Sequence, residues 1–265
     1  MATKKKGPGN QGPVVRVFKG RPKSKIVFQP TLTKLALTPP KVVIDEVVTP
    51  LHDRNLNLAN FSLYLVGTPK QLDGTVDQDT DEPGVEYQMV SQFIKNLDVL
   101  SHLDPRRPIL IHMKTCGGDY TEGMAIYDAI RACPNPVSIL SYTHARSMSS
   151  IIIQAADKRV LMPHSYFMIH EGGQYLGGTH KFVQTWAEWG KEVAAKTMLD
   201  IYIESMKKNG KFRHFSPDRI RTMLQDEMDK KQDKILTPQE AVEWGLADKV
   251  FGADGVYDWA DLRKF

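Results

Sequence analysis

With 265 residues, 41% of them hydrophobic and 25% charged, the chain is long enough for one large core and an appendage. Its longest apolar stretches, SSIIIQAA and KVVIDEVV, fall far short of the ~20 residues that cross a bilayer, and no secretory-type apolar segment follows the start. A membrane span is thereby excluded, and with only Cys116 and Cys133 for thiols the chain is expected to be cytoplasmic, with no disulfide framework, no metal and no cofactor.

The net charge of +4 conceals an asymmetry: residues 1–41 hold ten Lys and Arg and no acid, leaving 25 basic against 31 acidic residues in the rest. Gly7-Pro8-Gly9, Gly12-Pro13 and Pro39-Pro40 punctuate this stretch as an extended arm over residues 1–56. It reads either as a solubilising tail or as a strand of positive charge for nucleic acid or an acidic partner surface.

From Leu58 onward strands alternate with helices. FSLYLVG (61–67) is a short β-rich run, and PKQLDGTVDQDTDEPG (69–84) is an acidic turn-rich loop. VEYQMVSQFIKNLDVLSHL follows as a helix with Met89, Phe93, Ile94 and Leu97 on one face. PILIHM and VSILSY have the unbroken apolar character of strands covered on both sides, and TEGMAIYDAIRAC between them spaces Met124, Tyr127 and Ile130 as a helix. SMSSIIIQAA continues as a helix, RVLM and YFMI as strands, and residues 181–208 as one long amphipathic helix. Ser216-Pro217 and Thr237-Pro238 each place a cap before a first-turn proline, Thr237 with Glu240 completes a capping box, and Gly245 stops the last helix before the strand LADKVF. The alternation implies an α/β fold with helices packed on sheets, over residues 57–252, and a tail at 253–265.

Three segments could carry chemistry. In TCGGD, Gly117 and Gly118 end a buried strand, where glycines let the backbone approach a substrate and turn its N–H groups toward developing negative charge, although a tight turn needs the same residues. In ARSMSS, Ser147 starts a helix directly after a strand, exposed at the sheet's end beside the positive pole of the helix. His170 ends YFMI, next to the glycine-rich EGGQYLGG, which could form a substrate-binding edge through Gly172 and Gly173. A hydroxyl becomes a nucleophile when a base takes its proton, so serine, histidine and glycine pair together suggest acyl transfer.

TCGGDYTEGMAIYDAI, ARSMSS, RVLMPHSYFMIHEGG, DKILTPQEAVEWGLADKV and NFSLYLVG together resemble the Clp protease proteolytic-subunit family, serine peptidases of the ClpP/crotonase fold, from about Leu58 to Phe251. The resemblance implies an α/β fold of repeated strand-strand-helix units with a protruding handle of strand plus long helix. It makes Ser147 the nucleophile, His170 the general base and Asp233 the residue that orients the imidazole; the residues alone do not separate Asp233 from Asp226, Asp229 or Asp248. The oxyanion hole would be the N–H groups of Gly118 and Met148. It further implies polypeptide substrates, stacked heptameric rings of identical subunits and an AAA+ unfoldase partner. The stripe Phe182, Trp186, Trp189 and Val193 on the long helix then serves either the core or a contact between rings.

The sequence departs from the family pattern at several places. Cys116 stands where a proline precedes the glycine pair, and Ser149 where a glycine follows the nucleophile; neither removes a backbone N–H. Leu110, His112 and Ala132 occupy positions of aromatic docking pockets for the unfoldase, which leaves that partnership open, and Gln232 replaces an arginine of the ring contact. Other readings are a capsid- or scaffold-processing protease of the same type, a catalytically silent ring subunit, and an acyl-coenzyme A enzyme of the crotonase branch; joint retention of Ser147, His170 and Asp233 disfavours the last two.

Overall fold

The computed structural model describes residues 50–67, 82–174 and 176–265; the basic stretch 1–49 and most of the acidic loop lie outside the described residues. Among the described residues nine strands form two sheets. The larger has the order β1-β2-β3-β4-β6-β9, built from Leu56–Asn57, Ser62–Val66, Ile109–Lys114, Val137–Ser141, Lys158–Leu161 and Lys249–Val250. All its pairings are parallel except β1 with β2. The smaller has the order β5-β7-β8, from His144–Ala145, Tyr166–His170 and Asp233–Leu236, with β7 and β8 antiparallel.

Parallel strands need covered faces, and the unbroken ILIHMK and VSILS runs are buried accordingly. One face is covered by α1 (Tyr87–Leu103) and α2 (Tyr120–Ala132), with α3 (Met148–Ile152) behind them. The side chain of Glu86 caps α1 by accepting from the N–H groups of Gln88 and Met89, and Asp119 caps α2 by accepting from Glu122. The buried face of α1 holds Met89, Phe93 and Leu97 as the spacing predicts, but Val90 and Leu100 complete it, while Ile94 lies a hundred degrees round from Phe93 and is exposed. On α2 the core contacts are Ile126 and Ile130, with Met124 and Tyr127 half-buried on the flank.

The chain between residues 180 and 209 is helical throughout: α4 (His180–Trp189), a π-helical stretch Gly190–Ala194, and α5 (Ala195–Asn209). Phe182 and Val193 on this arm are 47% and 44% exposed and are not core, while Trp189 is half-buried edge-on to Tyr120. Two helices follow, α6 (Pro217–Lys231) and α7 (Pro238–Trp244), each with the proline start and side-chain cap read from the sequence. Gln232, with φ +59°, ends α6 and turns the chain into β8.

The opposite face of the large sheet is closed by residues 252–265. Val256 and Leu262 are buried against Leu110, Leu140 and Val160. Polar contacts fasten the segment: Ser138 Oγ donates to the Leu262 carbonyl, Lys158 Nζ to that of Asp261, and the Arg263 guanidinium to Ser62 Oγ and the Pro108 carbonyl. His112 is buried here, stacked on Tyr64 at 4.5 Å, touched by Trp259 and within 2.8 Å of the Tyr142 hydroxyl. Leu110 and His112 are therefore interior positions, and Ala132 is exposed at the end of α2.

Burial, helped by the positive charge of Arg263, depresses the His112 pKa to about 4. A histidine held neutral in the fold and free to charge when unfolded favours unfolding as pH falls from about 6.5 to about 4. Stability measured by denaturant melts should fall by up to about 3 kcal/mol over that window. In His112→Phe this part of the pH dependence should vanish while the stacking on Tyr64 is kept.

Candidate active site

The glycine pair lies where β3 leaves the large sheet. Val85 donates its N–H to the Gly117 carbonyl at 2.6 Å and accepts from the Asp119 N–H at 3.0 Å, so the loop is held as a short parallel bridge. Gly117 has φ +96°, and a methyl group added there would lie 2.6 Å from the Ser147 Cβ. Gly118 has φ +148°, and its added methyl would lie 2.4 Å from the Val85 carbonyl oxygen. Both positions need glycine for conformation and for space.

Ser147 follows β5 and precedes α3. Its backbone has φ +52° and ψ −133°, a conformation that a side-chain-bearing residue pays for, and its hydroxyl does not cap the helix. Behind it, Ser149 Oγ donates to the Thr115 carbonyl at 2.6 Å, tying the start of α3 to the end of β3. The serine that departs from the family glycine thus acts as a clamp between the two segments. Among the described residues neither Gly118 N–H nor Met148 N–H has an acceptor, and both residues line the same cavity of about 610 Å³ as Ser147, His170, Gly172 and Gly173.

His170 closes β7, and Asp233 opens β8 directly opposite it in the antiparallel register. His170 Nδ1 is 3.4 Å from Asp233 Oδ1, an electrostatic pair rather than a made hydrogen bond. Of the four aspartates, Asp233 is the one paired with His170 in the register. Asp226 and Asp229 are exposed on α6, and Asp248 is committed to the buried Arg159, accepting from its guanidinium at 2.6 Å. Burial is the main influence on His170 and lowers its pKa; the Asp233 carboxylate opposes this and the Arg146 charge assists it. The imidazole is consequently neutral at neutral pH, the form that can accept a proton.

Among the described residues no hydrogen bond joins Ser147 to His170, although both face the cavity. Such bonds are commonly formed only when substrate is bound. Cys116 lies off the cavity, its thiol donating to the Glu82 carbonyl at 3.5 Å, in keeping with a packed thiol. The glycine-rich stretch 171–174 makes no strand pairing, and nothing lies within 4 Å of a methyl built on Gly172 or Gly173. Its edge is open. Sequence reasoning missed the Val85 bridge, the Arg146 charge and the buried Tyr202 that walls the cavity, because none belongs to a local pattern.

Two outcomes follow from this geometry. Gly117→Ala should lower stability by about 1–3 kcal/mol in thermal melts, whereas Gly173→Ala, with open space around it, should leave the melt unchanged. The acid limb of kcat/KM on a peptide should have its midpoint below the ordinary histidine value of about 6.5, and Arg146→Met should move it upward by removing a positive charge.

The family model for Clp protease matches residues 82–254. The ATP-dependent Clp protease proteolytic subunit of Deinococcus radiodurans is 32% identical over 170 residues, covering 63% of this chain and 76% of the relative. Proteolytic subunit 1 of Protochlamydia amoebophila is 33% identical, covering 64% and 77%, and proteolytic subunit 3 of Streptomyces coelicolor is 30% identical, covering 68% and 75%. No helix among the described residues is long and apolar enough to cross a membrane. Matched by that model over residues 82–254, more than half its length, and about 30% identical to these relatives, the chain belongs to the Clp protease family.

Proposed function

We propose that residues 57–252 form a serine endopeptidase domain in which Ser147 is the nucleophile, His170 the general base and Asp233 the orienting carboxylate. The observation that carries this reading is the shared cavity: Ser147 and His170 line it together with Gly118 and Met148, whose N–H groups lack acceptors among the described residues, and Asp233 sits beside the imidazole. Asp233 lies on the Nδ1 side, so Nε2 is the atom left for the serine proton.

As Ser147 Oγ bonds to the substrate carbonyl carbon, its proton passes to His170 Nε2 and the carbonyl oxygen gains negative charge. Gly118 and Met148 N–H groups receive that charge; one such donor is worth on the order of 10²–10³ in turnover. The imidazolium, stabilised by Asp233, then protonates the leaving amine, and the acyl-enzyme is hydrolysed by water along the same route in reverse. Gly172 and Gly173 supply an open backbone edge to which an extended peptide can add as a strand, so recognition uses main chain more than side chains.

The assembly we infer is a homo-oligomer of stacked heptameric rings. Phe182, Trp186 and Val193, exposed on α4 and the π-helical stretch, support a subunit contact there. ATP dependence, which the relatives carry in their names, would reside in a separate AAA+ unfoldase. The basic arm of residues 1–56 would serve an acidic partner surface or nucleic acid, and no chemistry is assigned to it.

A fluorophosphonate probe should label the assembled protein, and labelling should disappear in Ser147→Ala. Ser147→Ala and His170→Ala should each lower kcat/KM on a small peptide by at least about 10⁴-fold, with native mass unchanged. An unlabelled, fully assembled parent protein would rule the reading out.

A further inference from the structure

Ser147 keeps a backbone conformation that costs about 1–3 kcal/mol, and such a residue persists only when its surroundings over-determine it. Its hydroxyl makes no cap bond. The restraint falls on its carbonyl. That oxygen accepts from the Ser150 N–H at 3.0 Å and from the Ser150 hydroxyl at 2.6 Å, so both its lone pairs are used. The Ser150 hydroxyl is in turn 2.6 Å from the hydroxyl of Tyr202 on α5.

Proton arithmetic fixes the direction of this chain of bonds. A carbonyl can only accept, so the single hydroxyl hydrogen of Ser150 goes to Ser147, and Tyr202 must donate to Ser150. Full burial pushes the Tyr202 phenol well above its ordinary value, which keeps that proton in place over any working pH.

The carbonyl of Ser147 and the N–H of Met148 belong to one planar trans peptide unit, so whatever fixes the oxygen also aims the hydrogen on the other side. The Gly118 N–H is aimed in the same way, because its peptide partner is the Gly117 carbonyl held by Val85 at 2.6 Å. The Gly118 and Met148 N–H groups are therefore both set from behind, the first by the Val85 backbone and the second by the Ser150 backbone and hydroxyl together. We propose that Tyr202 and Ser150 are positioning residues that orient the Met148 N–H toward the developing oxyanion through the Ser147 carbonyl. This rests on the reading of Ser147 as nucleophile.

The test is a double-mutant cycle with Tyr202→Phe and Ser150→Ala in the full-length assembled protein, read as kcat and KM on a small peptide and as affinity for a peptide boronate. The parent is first checked for fluorophosphonate labelling at Ser147. Misaiming one donor should lower kcat by about 10- to 100-fold in Ser150→Ala, with a smaller loss in Tyr202→Phe and KM nearly constant in both. Boronate affinity should weaken in step with kcat, since the boronate resembles the tetrahedral species and the substrate does not. The double variant should be no slower than Ser150→Ala alone, because Tyr202 acts through Ser150. Thermal melts show that each variant is folded, and Ser150→Thr, which retains a hydroxyl, should recover part of kcat. Unchanged kcat in folded variants, losses that multiply, or losses confined to KM would overturn the proposal while leaving a labelled Ser147 as nucleophile. A parent that does not label would remove the nucleophile reading and this proposal together.

Discussion

The close approach of Gly117 to Ser147 is the constraint on which the site depends. The serine adopts a left-handed backbone at a strand-to-helix junction, and only a residue without a side chain can sit against its Cβ. That contact joins two loops leaving different sheets: the glycine loop ends a strand of the large sheet, and the serine follows a strand of the small one. Strain at the serine is balanced by bonds on every side, from Val85 to the glycine loop, from Ser149 to Thr115, and from Ser150 to the serine carbonyl. A serine held by such a frame lines the cavity with its hydroxyl free of capping duty.

His170 is placed by different means. Antiparallel pairing sets His170 and Asp233 opposite one another, so their side chains emerge as neighbours on one face of the small sheet. Desolvation of the imidazole outweighs the pull of the carboxylate, which favours the uncharged ring. The carboxylate stays partly solvated at the sheet edge, which spares the fold the cost of burying an isolated charge.

How much of this is legible in the chain depends on the range of the physics involved. Alternation of apolar strands with 3.6-period helices, the proline starts at Pro217 and Pro238 and the glycine stop at Gly245 are local signals, and they agree with the elements formed. Two-residue strands such as Leu56–Asn57 and His144–Ala145 have no period to detect, and Asp233–Leu236 is a strand only because β7 lies beside it. The pairing of Asp233 with His170 is not legible in composition for the same reason: cross-strand register is a tertiary fact. Ile94 misleads because one apolar residue too many on a helix widens the apparent stripe without saying which edge faces the core. The aromatic stripe of the long helix is open to two uses in the sequence; Phe182, Trp186 and Val193 are exposed, while Trp189 is half-buried against Tyr120. Leu110 and His112 look like surface positions stripped of rings until the tail brings Trp259 and Leu262 over them.

That tail has a thermodynamic consequence of its own. Any external loop that seeks the apolar face formed by Leu110, Leu140 and Val160 meets a tethered competitor already in place. Because the competitor is part of the same molecule, its local concentration is on the order of millimolar and cannot be diluted away. The observed affinity of such a guest is its intrinsic affinity multiplied by the small fraction of molecules whose own end has lifted off. Selectivity at this surface is then governed as much by how firmly Arg263 and Ser138 fasten the occupant as by how well the guest fits.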